Sequence, residues 1–349
     1  MNKKGTSLLR GSLEYTLEKD FGMEIEAING EYRVCRIPGL IATQKNTLLA
    51  YYECRRGDSS DWAEIDIKII RSRDRGESWE TVKILKGDGA TLNNPVMIAQ
   101  DEKIHFLFCK DYKRVFYAVS RDDGKSFSEP VELVEPFQNA DFFYNAVALG
   151  PGHGIFFGGK LLIPVWFAYN RERHKAHHPS FVCTLCSEDG GAHWFFGEPI
   201  QGDDLKDPNE SALAQNADGG VMISIRSESS ARCRAIATSS NGVDHWSAPE
   251  FVPSLRDPVC QGSVISYQGL LLHINCDSDS KREALTVKVL DRELRLRGSV
   301  LVDEIGGYSD LAIVKDELCV LYERGALHGK GGLHFLRIPL SSVISVINE

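Results

Sequence analysis

Short apolar and alternating runs follow one another along almost the whole chain, and helical periodicity is nearly absent. Ile65-Asp66-Ile67-Lys68-Ile69-Ile70 alternates along its length, and Val115-Phe116-Tyr117-Ala118-Val119, Phe181-Val182-Cys183-Thr184-Leu185 and Arg234-Ala235-Ile236-Ala237-Thr238 are comparable runs rich in β-branched and aromatic residues. Runs of this length, bounded by Gly, Asn, Asp and Ser, predict strands. Residues 48–56, 161–169, 221–226, 269–274, 285–289 and 318–323 continue the pattern toward the C-terminus. The expected fold class is all-β.

A second regularity punctuates the first. Ser72-Arg73-Asp74-Arg75-Gly76-Glu77-Ser78-Trp79 returns as Ser120-Arg121-Asp122-Asp123-Gly124-Lys125-Ser126-Phe127 and as Ser187-Glu188-Asp189-Gly190-Gly191-Ala192-His193-Trp194. A worn copy, Ser239-Ser240-Asn241-Gly242-Val243-Asp244-His245-Trp246, has Asn at the Asp position and its glycine displaced by one. In the shared pattern S-x-D-x-G-x-x-W, the short polar side chain accepts hydrogen bonds from its own turn, and glycine supplies a positive φ. The terminal aromatic can pin the turn to a neighbouring sheet. Each copy follows a predicted strand, at intervals of roughly 50 to 70 residues, which is the length scale of a propeller blade. The box is therefore read as a structural device, and residues 1–349 as a single propeller domain whose weakly patterned first 30 residues lead into, or close, the first blade.

Composition narrows the function. A net charge of −9 argues against nucleic-acid binding, and any anionic substrate must be drawn by a local cluster of arginines. No run reaches the ~18 apolar residues needed to span a membrane, and the basic start Met1-Asn2-Lys3-Lys4 is not followed by an apolar signal stretch, so the expected location is cytoplasmic. The nine cysteines have no framework spacing and read as reduced, buried thiols. Cys183 and Cys186 form a CxxC, but on a strand, where residues three apart face opposite sides, and no second pair sits at ligand spacing. His174, His177 and His178 follow a strand in a basic loop and read as solvated surface rather than a metal site. No metal and no cofactor are expected.

Several polar residues stand at strand ends, where chemistry is usually carried. Arg36 precedes Pro38, Arg226 ends a strand, and Asp61 lies in the loop Gly57–Trp62 between two strands, with Asp58 close by. Taken singly, each is as well explained by a solvated head group or a turn.

Taken together, they resemble a family. The boxes, Arg36-Ile37-Pro38, Gln261-Gly262-Ser263-Val264, Tyr308-Ser309-Asp310-Leu311 and Leu321-Tyr322-Glu323 are similar in order and spacing to the exo-α-sialidases, which are six-bladed β-propellers. The resemblance runs from about Tyr32 to the C-terminus. It is strongest to compact vertebrate-type sialidases, which share the Gly150-Pro151-Gly152-His153 turn and the Cys260-Gln261-Gly262-Ser263-Val264 segment, and to single-domain bacterial relatives.

The resemblance implies a triad of Arg36, Arg226 and Arg282 around the substrate carboxylate, with Arg292 and Arg295 as downstream alternatives for the third member. It implies Glu323 as the buttress of Arg36, Tyr308 as nucleophile, Glu210 as its proton acceptor and Asp61 as acid and base. Glu53 and Arg55 are expected around the ring hydroxyls, and Asn94, Trp166 and Tyr169 on the glycerol and N-acyl side. A neutral phenol suits a reacting carbon that already bears a carboxylate, because an anionic nucleophile would be repelled. The implied activity is retaining hydrolysis of terminal sialic acid from oligosaccharides, glycoproteins or gangliosides. The alternatives are a glycosidase for a related ulosonic acid such as the deaminated sugar, a trans-sialidase, and a catalytically silent sialoglycan-binding propeller. Linkage preference and oligomeric state are not specified by the sequence.

Overall fold

The computed structural model describes residues 15–16, 23–26, 30–173, 175–325 and 332–347. His174 and most of the weakly patterned N-terminal stretch lie outside the described residues. Six sheets form the blades of a propeller. Blade 1 runs from its inner to its outer strand as Val34–Ala42, Leu48–Arg55, Ile65–Ser72 and Glu80–Leu85. Blade 2 has Leu92–Gln100, Lys103–Lys110, Arg114–Ser120 and Val131–Glu132. Blade 3 is built on Lys160–Ala168, Ser180–Ser187 and Phe195–Phe196, with an inner strand split into Ala146–Leu149 and Ile155–Phe157. Blade 4 has Ser211–Gln215, Val221–Ile225, Cys233–Ser239 and Glu250–Arg256. Blade 5 has Ser263–Tyr267, Leu270–Cys276, Leu285–Leu290 and Leu296–Asp303, with Tyr15–Thr16 parallel to the last of these. Blade 6 has Gly306–Val314, Glu317–Arg324 and Gly332–Pro339.

The fourth strand of blade 6 is Met23–Glu26, antiparallel to Gly332–Pro339. The start of the chain thus closes the ring through the sixth blade, not the first. The split in blade 3 is the other departure from expectation. Gly150-Pro151-Gly152-His153 is not a simple turn, because Gly152–His153 leaves blade 3 and pairs in parallel with Val96 and Met97 of blade 2. All nine cysteines are buried and free, Cys183 and Cys186 among them.

The boxes turn the third strand of blades 1 to 4 into the fourth and clamp each blade to the one before it. In each, the serine hydroxyl accepts the glycine N–H, at 2.7 Å for Gly76 to Ser72, 3.0 Å for Gly124 to Ser120, 2.8 Å for Gly191 to Ser187 and 3.1 Å for Gly242 to Ser239. The worn copy makes the same turn, with Asn241 Oδ1 accepting the N–H groups of Val243 and Asp244 at 2.8 and 3.1 Å. The positive φ at these glycines is needed for the turn, and the missing side chain for the blade contact. A Cβ at Gly76 would meet Phe335 of blade 6 at 2.1 Å, at Gly124 Leu49 of blade 1 at 2.7 Å, at Gly191 Tyr117 of blade 2 at 2.4 Å, and at Gly242 Leu162 of blade 3 at 2.5 Å. Two box aromatics make the same step backwards, Trp79 onto Phe335 and Trp194 onto Tyr117, with ring centroids 5.2 and 5.7 Å apart.

Gly191→Ala is expected to lower stability by about 2–5 kcal/mol, combining a left-handed alanine with overpacking against Tyr117. Gly158→Ala, with φ +57° but open space around its Cβ, is expected to lose only about 1–2 kcal/mol. Urea titration of both variants checks the difference, and equal losses would remove the blade-clamp role.

Candidate active site

Three inner strands carry a bulge at the same end of the ring, and each bulge presents a polar side chain. The pairing shifts register between Arg36 and Gly39 in blade 1, between Asn93 and Val96 in blade 2, and between Gly306 and Ser309 in blade 6. Proline follows in the first two, at Pro38 and Pro95, where a ladder N–H is missing. Ile37 and Asn94 stand at φ 57° and 51°. Such backbone is held by its surroundings: the Ile37 N–H donates to Glu323 Oε1 at 2.9 Å, and the Asn94 N–H to Glu53 Oε1 at 2.9 Å.

A cavity of about 380 Å³ opens over these bulges. Arg36, Arg55, Asp61, Asn94, Trp166, Glu210, Arg226, Arg282 and Tyr308 all line it. Arg36 lies against Glu323 with two contacts, Nε to Oε1 at 3.1 Å and Nη2 to Oε2 at 3.3 Å. The guanidinium carbons of Arg36 and Arg282 sit 5.0 and 5.1 Å from the centre of the Tyr308 ring. Arg226, just past the second strand of blade 4, donates from Nη1 to the Tyr308 hydroxyl at 2.9 Å and also to Glu210. Arg282 thus meets Tyr308 in the cavity, while Arg292 and Arg295 are engaged with Glu293 and Asp291 and do not line it.

Tyr308 is buried and donates its hydroxyl proton to Glu210 Oε2 at 2.6 Å. Burial pushes the phenol well above its ordinary value, and the Glu210 carboxylate adds to this against the opposing pull of Arg226, Arg282 and Arg36. The phenol is therefore neutral at rest, with a carboxylate in place to take its proton.

Asp61 lies on the blade 1 loop with 42% of its side chain exposed. Its Oδ1 accepts from Arg55 Nη1 at 2.7 Å and lies 3.9 Å from Arg36 Nη1. Burial alone would raise the Asp61 carboxyl, but Arg55, with Arg36 behind it, holds it below the usual range. Asp58 does not line the cavity; its carboxylate caps its own loop by accepting the Ser60 N–H at 2.8 Å.

Two residues expected at the substrate stand elsewhere. Glu53 is fully buried and does not line the cavity; it accepts from Arg55 at 3.0 and 2.8 Å and from the Asn94 backbone, so it fixes both neighbours from below. It shares one face of a strand with Arg55, and nothing in their spacing indicated which of the two would line the cavity. Tyr169 is 42% exposed, lies outside the cavity lining and packs toward Phe181, one step past the end of the strand that places Trp166 inside.

His177, read from the sequence as solvated surface, is instead part of the cavity wall. Its ring stacks on Trp62 at 5.5 Å and packs against Tyr112 and Trp166 at 5.2 and 5.4 Å. Burial lowers its proton affinity, so the ring is neutral. Trp62, Tyr112 and Asn209 also line the cavity and were not singled out from the sequence. Among them only Trp62, next to Asp61, carried a signal in its position. Among the described residues there is no cluster of three or more metal-ligating side chains, and no helix is long and apolar enough to cross a membrane.

Comparison with known proteins gives a consistent set. The BNR repeat-like domain family matches residues 46–300. A sialidase of Bacteroides fragilis is 25% identical over 88% of this chain and 62% of its own length, so the chain spans about three-fifths of that relative. Among solved structures, Hadza microbial sialidase Hz136 superposes with a TM-score of 0.80 at 24% identity, covering 92% of this chain and 69% of that one. Trypanosoma rangeli sialidase in complex with 2,3-difluorosialic acid, described as a covalent intermediate, gives a TM-score of 0.73 at 21% identity over 97% of this chain and 59% of that one.

Glu323→Gln removes the charge that faces Arg36 and one acceptor of its pair. Binding of a carboxylate-bearing sugar is expected to weaken by about 1.5–3 kcal/mol, roughly 10- to 150-fold, as measured by titration calorimetry. An unchanged affinity would mean that Arg36 is oriented without its buttress.

Proposed function

The chain belongs to the sialidase family built on BNR-type repeats, and from that premise we propose that it is a retaining exo-α-sialidase, releasing terminal α-linked sialic acid from glycoconjugates through a covalent tyrosyl intermediate. The observation that carries this reading is the contact of a buried phenol, Tyr308, with one carboxylate and three guanidinium groups from different blades. Planar guanidinium forks match a carboxylate, and sialic acid, a 2-ulosonic acid, bears its carboxylate on the reacting carbon.

In the proposed reaction the three arginines grip the carboxylate and hold the anomeric centre over Tyr308. Glu210 takes the phenolic proton as the oxygen attacks, which avoids driving an anionic nucleophile toward a carbon beside a carboxylate. The bond to the leaving oxygen breaks as Asp61 delivers a proton to it. Asp61, now a carboxylate, then draws a proton from water, which attacks the same carbon and frees Tyr308. Glu210 returns the proton to the phenol. Two inversions at one centre give net retention.

Turnover of a fluorogenic sialoside by the wild-type protein tests the reading directly. Tyr308→Phe is expected to reduce kcat by at least about 10³-fold, and Glu210→Gln by about 10²–10⁴-fold. Binding of sialosides without turnover would favour a silent glycan-binding propeller. Trapping with a fluorinated sialosyl donor is expected to label Tyr308, and a label on another residue would overturn the assignment of nucleophile.

The acid limb carries its own sign. Asp61 must be protonated to act as the acid, and its carboxyl lies below the ordinary range beside Arg55. The value of kcat/KM is therefore expected to fall as pH rises through that lowered value, giving an acidic optimum. Arg55→Gln removes the largest lowering partner, so the descending limb should move to higher pH. A limb that stays in place in this variant would assign the proton donor to another group.

A further inference from the structure

One segment at the propeller axis touches all six blades and takes no part in the chemistry above. It is Gly150–Gly154, the stretch that leaves blade 3. The Gly150 N–H donates to the Pro164 carbonyl of blade 3 at 2.8 Å, and its carbonyl accepts the N–H of Ser211, the residue after Glu210 in blade 4, at 3.2 Å. The Gly152 carbonyl accepts the Tyr51 hydroxyl of blade 1 at 3.0 Å, and the Tyr51 oxygen in turn accepts the Met97 N–H of blade 2 at 3.1 Å. Asn94 Nδ2 donates to the Leu149 carbonyl just ahead of the segment at 3.0 Å.

His153 completes the hub. Its Nδ1 meets Asp310 Oδ1 at 2.7 Å, with the imidazole 10% exposed and the carboxylate fully buried. Asp310 lies two residues beyond Tyr308 on the inner strand of blade 6. Its carboxylate also accepts the Ser263 hydroxyl of blade 5 at 2.6 Å, the Leu40 N–H of blade 1 at 2.8 Å, and the N–H of Leu311 at 2.9 Å. The backbone N–H groups of Leu40 and Leu311 can only donate to this carboxylate, and the Ser263 hydroxyl donates to it as well. A buried carboxylate without a counter-charge is strongly disfavoured.

The Asp310 carboxylate, and after it the Val264 backbone of blade 5, favours the protonated ring against the opposing effect of burial. A neutral ring would leave the buried carboxylate without a counter-charge. We propose that His153 is a positioning residue for the Tyr308–Glu210 pair: an imidazolium at the propeller axis whose ion pair with Asp310 sets the spacing between the strands bearing the two groups. Besides Asp310, the titratable group packed at this hub is the hydroxyl of Tyr51 on blade 1; Ser263 on blade 5 does not titrate.

The inference rests on the proposed activity for its kinetic part and not for its charge state, so the two can fail separately. In wild-type protein labelled with ¹⁵N at histidine, and assigned by the signal missing from His153→Gln or, should that variant not fold, from His153→Asn, both ring nitrogens of His153 are expected to stay protonated as pH rises past about 6.5, the ordinary histidine value. A ring that loses its proton at or below that value overturns the proposal. The folded-state affinity for the proton is raised above the ordinary histidine value. The pair's contribution to stability is therefore fully present below about pH 6.5, the unfolded value, and lost as pH rises through the raised folded value.

His153→Gln keeps a donor but removes the charge. Relative to wild type, kcat is expected to fall about 10- to 100-fold with KM changed less than about threefold, since the carboxylate grip is untouched. The stability gap between variant and wild type should close as pH is raised. Ser263→Ala, which removes a single donor to Asp310, provides a milder version of the same kcat loss. An unchanged kcat in either folded variant, or a gap in stability that is constant with pH, overturns the positioning role. Absence of turnover in wild type itself would sink the functional reading and leave the imidazolium to be decided by the nitrogen signals.

Discussion

Arg36, Arg226 and Arg282 carry like charges, and all three crowd one buried phenol. At such distances, with side chains only 12–14% exposed for Arg36 and Arg226, uncompensated guanidinium groups would repel one another by several kcal/mol. The structure answers with carboxylates drawn from elsewhere in the ring. Glu323 of blade 6 holds Arg36 of blade 1, and Glu210 holds Arg226 at the end of blade 4. Arg282 meets no carboxylate among the contacts described, and it is the member left to a ligand. The rest of the molecule is arranged so that these compensations can occur, since residues 287 positions apart must meet within 3.1 Å.

That meeting depends on closing the ring and on the inner strands being irregular. A regular inner strand would point alternate side chains into neighbouring blades and leave only its end to face the cavity. The bulges in blades 1, 2 and 6 turn Arg36, Asn94 and Tyr308 upward instead. Each bulge is underpinned by a polar residue that never reaches the cavity. Glu323 takes the Ile37 N–H, Glu53 takes the Asn94 N–H, and Gln261 exchanges two hydrogen bonds with Ser309, at 2.9 and 3.1 Å. These side chains sit in the same layer as Asp310 and His153, so the floor of the cavity is a buried polar network resting on an apolar propeller.

Much of this was legible in the chain, and what was not has identifiable causes. Strands and box turns announce themselves through local pattern, because β-branched runs and the Ser-Asp-Gly turn are decided by neighbours in sequence. The repeats mark only four blades, for two physical reasons. Blade 5 makes its corresponding turn with Asp291 accepting the N–H groups of Glu293 and Arg295, without serine or glycine. In blade 6 the third and fourth strands are not consecutive, so no turn joins them. The number six came from resemblance. Glu53 and Arg55 share one face of a strand, and only the tertiary fold decides that Arg55 reaches the cavity while Glu53 stays beneath it. His177 looked solvated because its neighbours in sequence are basic, whereas its surroundings in space are Trp62, Tyr112 and Trp166.

The two ionisable systems of the site are pushed in opposite directions, and that separation is what the proposed chemistry requires. Tyr308 is buried against a carboxylate that accepts its proton, which keeps it neutral until attack begins. Asp61 is partly open to solvent and faces Arg55 and Arg36, which favour its carboxylate form. The geometry therefore protects the nucleophile's proton and exposes the acid's. A substrate carboxylate entering among Arg36, Arg226 and Arg282 would offset part of the positive field that holds Asp61 low, and covering the loop would remove it from water. Both changes favour the protonated acid at the moment the leaving oxygen needs it. In the proposed reaction, the arginines that grip the sugar acid thus tie the charge state of Asp61 to an occupied site, and the empty site keeps Asp61 as a carboxylate.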